Sequence, residues 1–559
     1  MWPRSWILIL CCVTQGPLQT GAESDRPSLI TKYGRLRGVT VSVKGNRAAR
    51  AFYGIPYAKP PVEGLRFSHP EPPEAWTSVR EAAEHPAMCL QSAELLQKIH
   101  ALFRAPMTLP PFSEDCLYLD VYTPAEQGGG RYFPVMVFIH GGALLTGGAA
   151  FYDGSALSAY EEVVLVVLQY RLGILGFLST GDGQAFGNYG FLDQVAALRW
   201  IQENIADFGG DPNAVTILGE SAGAVSVSAL MTSPLGKGLF HRAIAESGVT
   251  LIPGVMVHMT AHLRDFRDMV ATFSGCEPGS LVDCLRKKST DEILTVMSQM
   301  TLPSLPVCVD GVFLTRPPEE TLATKQSHNV PFIIGVNNQE CGWMLPKLLN
   351  ASEILEEMDK FTVQETLENF PHLGISSPMI PSLLEEYFGD TDNPAELRNR
   401  FLDLCGDVSL VVPSFRVARY HRDSGSSIFF YEFHHRPSVL KDTRPDFVKS
   451  DHGDELMFVF GGAFLRAGAF LSMGDATDEE KTLSRTVMRY WANFARSGDP
   501  NGPGLVHWPL FDHKENYLEI SSKPRSAKNL RAGKAEFWTD VLPEKMQKIL
   551  KKNIEHPEL

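Results

Sequence analysis

The chain has 559 residues, of which 44% are hydrophobic, and its 51 Lys and Arg against 65 Asp and Glu give a formal net charge of −14. This composition is typical of a protein that buries a large core, and the acidic balance argues against a long basic surface for nucleic acid. The sequence contains no repeat and no linker that would divide residues 23–559. We therefore expect one globular domain over residues 23–559, without nucleic acid as a partner.

Residues 1–22 have the pattern of a secretory signal peptide. Arg4 precedes the apolar stretch WILILCCV, and the small residues TGA follow. No later stretch is long and uncharged enough to span a bilayer, since the apolar stretch over residues 163–178 contains Gln169 and Arg171. The mature protein is therefore expected in an oxidising compartment, without a transmembrane span.

Cysteine usage agrees with that compartment. Two of the nine cysteines lie in the signal peptide, which leaves seven. Cys276 and Cys284 enclose a short loop that is typical of a local disulfide, and Cys89 with Cys116 would close a longer loop. The remaining three are expected to be buried as small apolar residues, because no tight Cys and His spacing indicates a metal site. They are Cys308, Cys341 and Cys405.

Short apolar runs alternate with helical segments along the chain. The clearest helical pattern covers Leu192–Gly209 and ends at glycine. Continuous apolar strands between helices predict an α/β fold whose sheet is parallel in its centre and covered by helices on both faces. Ligands bind such sheets at the carboxyl ends of the strands. The predicted strands are Pro134–His140, Val163–Tyr170, Ala214–Leu218, Val330–Val336 and Ser426–Phe433.

Two glycines follow the first of these strands directly. Gly141 and Gly142 carry amides that no side chain hinders. Preorganised amide donors stabilise the negative oxygen of a tetrahedral intermediate in a dry site. We interpret them, together with the amide of Ala222, as an oxyanion hole.

The sequence GESAG places Ser221 between a strand and the helical segment that begins at Ala222. In a sharp strand-to-helix turn the chain approaches itself closely, so residues without side chains are favoured two positions before and after the serine. Gly219 and Gly223 occupy those positions. The pattern is that of a nucleophile elbow and predicts Ser221 as a nucleophile.

A serine nucleophile needs a histidine to accept its proton and a carboxylate to orient that histidine. In this fold the acid and then the histidine follow the serine along the chain. Glu340 lies just past a predicted strand, and His452 lies in a polar loop beside Gly453. With 16 histidines and many acids in the chain, composition alone does not single these two out.

Two further signals concern cellular processing. Asn350 begins the sequon NAS, which predicts N-glycosylation in a lumenal protein. The last four residues, HPEL, have the form of endoplasmic reticulum retrieval signals that end in Glu-Leu and are read by a receptor. The lumen of the endoplasmic reticulum is therefore the expected location. Secretion is the alternative, because Pro557 departs from the usual tetrapeptides.

Five motifs occur in order along the chain: SEDCLYLDVYTP, HGGAL, YRLGILGFLSTGD, GESAG and ADFGGDP. Residues 28–538 with these motifs resemble the type B carboxylesterase and cholinesterase family, whose members have the α/β-hydrolase fold with large loop and helix insertions. The segments HPAMCLQ, LDQVAALRW, DHGDEL and YWANFARSGDPNG are similar to the mammalian carboxylesterase 2 group of the endoplasmic reticulum lumen. In that group, the position of Cys341 usually holds a larger aromatic residue.

The resemblance implies a serine esterase that needs no metal or organic cofactor. Its substrates would be carboxylic esters, thioesters and amides of drugs and other foreign compounds, with a small acyl group and a bulky alcohol favoured. The residue roles that the resemblance implies are Ser221 as nucleophile, Glu340 as acid, His452 as base, Gly141, Gly142 and Ala222 as oxyanion donors, Cys89–Cys116 and Cys276–Cys284 as disulfides, and Arg66 with Glu114 as an ion pair.

Two alternatives remain at this point. The first is a neutral lipase that acts on acylglycerols. The second is a non-catalytic adhesion protein on the same fold, because fold alone does not settle function. Adhesion relatives typically lack part of the triad and add a transmembrane stalk, which argues against this alternative here.

Overall fold

The computed structural model of the protein describes residues 26–103, 109–126, 129–257, 260–300, 307–348, 351–355, 358–369 and 373–555. The predicted signal peptide, the sequon at Asn350 and the HPEL tetrapeptide lie outside the described residues. These three features remain predictions. Among the described helices, none has the length and apolar character needed to cross a bilayer.

The described residues form a main sheet of eleven strands in the order β1-β2-β3-β5-β4-β6-β7-β8-β9-β10-β11. In chain order the strands are β1 Val39–Val43, β2 Arg47–Pro56, β3 Tyr118–Pro124, β4 Phe133–Ile139, β5 Val164–Leu168, β6 Gly210–Glu220, β7 Arg242–Glu246, β8 Phe332–Asn337, β9 Ile428–Phe433, β10 Asn516–Ile520 and β11 Arg525–Lys528.

The centre of this sheet is parallel. All pairs from β5 across to β10 run parallel, whereas the pairs at both edges are antiparallel. The five predicted strands are confirmed as β4, β5, β6, β8 and β9, with shifted ends. The predicted α/β fold is confirmed as well.

Both faces of the sheet are buried, as the continuous apolar strands predict. Side chains alternate between the faces of a strand. In β4, accordingly, Val135 and Val137 pack into one hydrophobic core, and Met136 and Phe138 pack into a second one. Helices cover these two cores.

The helices lie between and beyond the strands. The α-helices are Ala93–Leu102, Ser155–Glu161, Gly173–Phe177, Tyr189–Asn204, Ala222–Thr232, Thr260–Ser274, Leu281–Lys287, Thr290–Ser298, Pro318–Ala323, Met344–Leu348, Lys360–Asn369, Ile380–Leu383, Pro394–Gly406, Val412–Asp423, Leu456–Val459, Asp478–Ser497, Ala532–Glu536 and Leu542–Glu555. The 3₁₀ turns are Glu63–Leu65, Ala149–Phe151, Ile205–Phe208, Pro234–Gly236, Pro278–Ser280, Glu353–Leu355, Ser377–Met379 and Ser438–Leu440.

Three small sheets and three π-helical turns complete the described elements. In the first small sheet, Gly34–Arg37 pairs with Ser28–Thr31 on one side and Arg80–Glu81 on the other. The other two small sheets pair Met88–Cys89 with Phe112–Ser113 and Met256–Val257 with Val307–Cys308. The π-helical turns are Leu384–Phe388, Asp407–Val411 and Phe537–Val541.

The insertion between β8 and β9 contributes most of a third, smaller hydrophobic core. Its centre contains Leu355, Val363, Leu397, Phe401 and Phe537. Because this insertion follows the carboxyl end of β8, it covers the edge of the sheet at which ligands bind in α/β folds.

The structure contains both disulfides that the resemblance implies, Cys89–Cys116 and Cys276–Cys284. The other three cysteines among the described residues are free and buried, as expected. The ion pair between Arg66 and Glu114 is also present and bidentate, with N–O distances of 2.7 and 2.5 Å.

Candidate active site

Ser221 lies in the turn between β6 and the helix Ala222–Thr232, with φ 56° and ψ −122°. Backbone strain of this kind is concentrated at functional sites. The two glycines of the motif make the turn possible. A Cβ on Gly219 would lie 2.7 Å from the carbonyl oxygen of Ile139, and one on Gly223 would overlap that same oxygen. The elbow therefore depends on close packing of β6 and its helix against the end of β4.

Glu340 and His452 form the hydrogen bond that a serine triad requires. Nδ1 of His452 lies 2.7 Å from Oε2 of Glu340. The other carboxylate oxygen of Glu340 accepts hydrogen bonds from the amide of Asn337 at 2.6 Å and the hydroxyl of Ser247 at 2.7 Å. Glu340 is 1% exposed, so these donors fix the acid in one orientation.

His452 and Ser221 line the same cavity. The loop around His452 is tied to the chain near Glu340 by Asp451, whose carboxylate accepts hydrogen bonds from the amides of Trp343 and Met344. Arg444 in turn contacts Asp451 and Asp454. This buried network positions the histidine relative to the acid.

A second carboxylate lies against the other ring nitrogen of His452. Nε2 is 3.2 Å from Oε1 of Glu220, the residue before Ser221. Burial lowers the pKa of His452, but the charge of Glu220 and the hydrogen bond with Glu340 outweigh burial and raise the pKa to about 10. Burial raises the pKa of Glu220 to about 7, and the charge of His452 opposes that shift. These surroundings favour the protonated imidazole, which is the form that a base takes after it accepts a proton.

Two further buried glutamates lie beneath the site. Burial raises the pKa of Glu246 to about 8, against a hydrogen bond of 2.6 Å from the indole of Trp491. Burial and the neighbouring carboxylates hold the pKa of Glu455 well above its usual range, although the side-chain amide of Asn337 donates a hydrogen bond to its carboxyl group. Protonated carboxyls avoid most of the repulsion that four adjacent negative charges would create.

The three predicted amide donors face the same cavity. Gly141, Gly142 and Ala222 line it beside Ser221. A Cβ on Gly141 would lie 3.1 Å from Cβ of Ser221, and Gly142 has φ +99°, a value that favours glycine. Both positions therefore need glycine, one for its close approach to Ser221 and the other for its backbone conformation.

The cavity has a volume of about 320 Å³ and is lined mainly by apolar side chains. The helix Ala93–Leu102 and the insertion that follows β8 both contribute residues to its wall. Representative lining residues are Leu96, Phe103, Phe151, Leu355, Phe401 and Phe470. Such a cavity excludes water and accepts uncharged molecules with apolar limbs.

Three residues of the site, Glu220, Ser247 and Glu455, have no function predicted from the sequence. Glu220 and Glu455 stand inside the quoted motifs GESAG and DHGDEL, so the motifs contained a signal for both. Ser247 directly follows β7 and carried no comparable signal. Its contact with Glu340 spans 93 residues of sequence and becomes visible only in the folded chain.

The parallel sheet with a strained serine at the carboxyl end of a central strand defines an α/β-hydrolase. Residues 25–538 match the model of the carboxylesterase family. The chain belongs to this family and is a carboxylic-ester hydrolase.

Three relatives show how far the similarity extends. The chain is 48% identical to "Cocaine esterase" of Homo sapiens and 47% identical to "Fatty acyl-CoA hydrolase precursor, medium chain" of Anas platyrhynchos, over 96% of both chains in each case. It is 45% identical to "Pyrethroid hydrolase Ces2e" of Rattus norvegicus, over 99% of this chain and 95% of the relative.

Proposed function

We propose that Ser221, His452 and Glu340 hydrolyse carboxylic esters through an acyl-enzyme. His452 accepts the proton of Ser221 as its oxygen attacks the ester carbonyl, and Glu340 orients the ring and stabilises the imidazolium. His452 then donates the proton to the departing alcohol. Water, activated by the same histidine, releases the acid and restores the serine. The observation that carries this proposal is the 2.7 Å hydrogen bond between His452 and Glu340 at the cavity of Ser221.

The amides of Gly141, Gly142 and Ala222 act as the oxyanion hole in both half-reactions. Each donor of this kind contributes about 3 to 4 kcal/mol to stabilisation of the transition state. Glu220 adds to this stabilisation, because its charge favours the imidazolium that forms in the same step. No metal or organic cofactor takes part in these steps.

The substrates that this site favours are uncharged esters of foreign compounds with a small acyl group and a bulky alcohol. The apolar cavity supports substrates with apolar limbs, and the names of two relatives, a cocaine esterase and a pyrethroid hydrolase, support esters of foreign compounds. Amides and thioesters are further substrates, and the name of the fatty acyl-CoA hydrolase supports the thioesters.

The substrate proposal is tested with two isomeric esters, benzyl acetate and methyl phenylacetate. Their alcohols have similar acidity, so the comparison isolates which limb of the ester is bulky. We expect kcat/KM to be at least about tenfold higher for benzyl acetate, a difference within the range that pocket contacts supply. The opposite preference contradicts the proposal. Faster hydrolysis of an emulsified diacylglycerol than of benzyl acetate would favour the lipase alternative instead.

The protein is proposed to be a lumenal glycoprotein of the endoplasmic reticulum. Two disulfides support an oxidising compartment. The signal peptide over residues 1–22 directs entry, the HPEL tetrapeptide binds a retrieval receptor, and Asn350 carries one glycan. Loss of one glycan's mass from the expressed protein in Asn350→Gln tests the last point.

A further inference from the structure

Two free thiols meet in the wall of the ester cavity. Cys341 follows Glu340 directly, and Cys405 lies at the end of the helix Pro394–Gly406. Both side chains line the cavity that contains Ser221. Ser409 contacts both residues, although 64 positions separate them in the sequence. They are therefore a pair that the fold assembles beside the candidate triad.

The backbone around this pair is held at close distance. A Cβ on Gly406 would lie 3.5 Å from Cβ of Glu340 and 3.9 Å from the amide nitrogen of Cys341. The helix that carries Cys405 continues into the π-helical turn Asp407–Val411, an irregularity that occurs frequently at functional sites. Ser409 in this turn donates a hydrogen bond to the carbonyl of Cys405 and lies 3.8 Å from the sulfur of Cys341.

We propose that Cys341 and Cys405 form a dithiol modification site that closes to a disulfide when a small uncharged disulfide enters the ester cavity, and that closure lowers ester turnover. The location of the thiols is independent of the proposed function. Only the effect on turnover rests on it.

The reaction begins at Cys405, which is 9% exposed, whereas Cys341 is 1% exposed. The thiolate of Cys405 attacks one sulfur of the small disulfide, which forms a mixed disulfide and releases one thiol. The sulfur of Cys341 then attacks the mixed disulfide, loses its proton and releases the second thiol. In sum, two protein thiols are oxidised to one disulfide, and one small disulfide is reduced to two thiols.

The neighbouring thiol of Cys405 and burial hold the pKa of Cys341 well above its usual range. Cys341 is therefore poorly suited to the first attack and acts as the resolving thiol. Cys308 provides a comparison, because burial raises its pKa to about 11 and it is not among the described residues that line the cavity. We expect Cys308 to remain unmodified.

Formation of the disulfide should lower ester turnover because it displaces Glu340. Formation of a sulfur–sulfur bond pulls the side chain of Cys341 toward the helix Pro394–Gly406, and Glu340 is its neighbour in the chain. Glu340 holds His452 by a single hydrogen bond of 2.7 Å. A displacement of about 1 Å in a catalytic group can lower a rate by about 10²-fold.

The test treats the full protein with 4,4′-dithiodipyridine, whose reduction releases a coloured thiopyridone. Proteolysis without reduction, followed by mass spectrometry, identifies the cross-linked product. We expect a peptide that joins Cys341 to Cys405 and two thiopyridones per cross-link in the wild type and in the control variant Cys308→Ala. In Cys405→Ala, no cross-link should form. A phosphonate ester bound to Ser221 should slow cross-linking, because it occupies the route of entry.

Activity is measured on the same samples. We expect kcat/KM for phenyl acetate to fall by about tenfold or more on closure and to recover after brief treatment with a thiol. A stable mixed disulfide on Cys405 without cross-linking, or no modification of either thiol, overturns the proposal. A complete cross-link with unchanged kcat/KM overturns the proposed effect of the disulfide on ester turnover. Because the cross-linked peptide is measured without reference to activity, failure of the proposed triad would leave this result interpretable.

Discussion

Oε1 of Glu220 lies 3.2 Å from Nε2 of His452, on the side of the ring opposite to Glu340. One imidazole is thus held between two buried carboxylates. In the proposed mechanism, Glu340 fixes its orientation, and Glu220 adds a negative charge beside the nitrogen that exchanges a proton with Ser221. The pH dependence of kcat/KM should therefore depend on both carboxylates.

Replacement of Glu220 by Gln should shift the pH profile. His452 is active as a base only when neutral, so kcat/KM falls as the pH decreases through its pKa. The charge of Glu220 raises that pKa, and its removal should lower it. We expect the acidic limb of kcat/KM to move to lower pH and the maximal rate to decrease, because the imidazolium loses a stabilising charge.

The control for this variant is Glu74→Gln, which removes an exposed carboxylate that does not line the cavity. Its profile should match the wild type. An acidic limb that stays in place or moves to higher pH in Glu220→Gln would show that Glu220 does not act on His452.

Glu340→Gln should abolish most activity while the fold is retained. An amide accepts the hydrogen bond of the histidine poorly and does not stabilise the imidazolium, and the equivalent change in a serine protease lowers kcat by about 10⁴-fold. Glu340→Asp keeps the charge and should retain more activity than Glu340→Gln. Steady-state hydrolysis of phenyl acetate by the folded variants decides the matter. Near-normal rates in Glu340→Gln would remove this residue from the triad.

Gly223→Ala should destabilise the protein strongly, because the added methyl group overlaps the carbonyl oxygen of Ile139. Gly533 is a matched control, since it also lies in a helix and a Cβ there meets no atom within 4 Å. Gly533→Ala should be neutral or stabilise by up to about 1 kcal/mol. Thermal unfolding followed by circular dichroism measures both. Equal melting temperatures for the two variants would contradict the proposed packing of the elbow.

Deletion of residues 556–559 should send the protein to the culture medium. A variant with one glycine added after Leu559 keeps the tetrapeptide but moves it away from the chain terminus, where the receptor reads it. It should be secreted too. Immunoblots of cells and medium report the distribution. Continued retention of both variants would exclude HPEL as the retrieval signal.

The sequence predicts the central sheet and the elbow because their signals are local. Apolar runs mark buried strands such as β4, and the spacing of Gly219, Ser221 and Gly223 follows from the sterics of one turn. The position of Glu340 just past a strand and that of His452 in a polar loop beside Gly453 are also local signals, but their selection from many acids and histidines needed the family resemblance.

Contacts between distant segments could not be predicted in the same way. The hydrogen bond from Ser247 to Glu340 depends on the pairing of β7 with β8, and the proximity of Cys341 and Cys405 depends on how the insertion after β8 folds. No periodicity in the sequence encodes that packing. The charge of Glu220 is visible beside Ser221, but its action on His452 requires the distance between them.

Every step of the proposed reaction depends on Ser221 as the nucleophile. The most direct measurement is hydrolysis of phenyl acetate by the purified wild type beside Ser221→Ala, with circular dichroism as the check of folding. We predict turnover by the wild type and a loss of about 10³-fold or more in the variant. Equal turnover by a folded Ser221→Ala protein would contradict the account, because hydrolysis would then proceed without the serine.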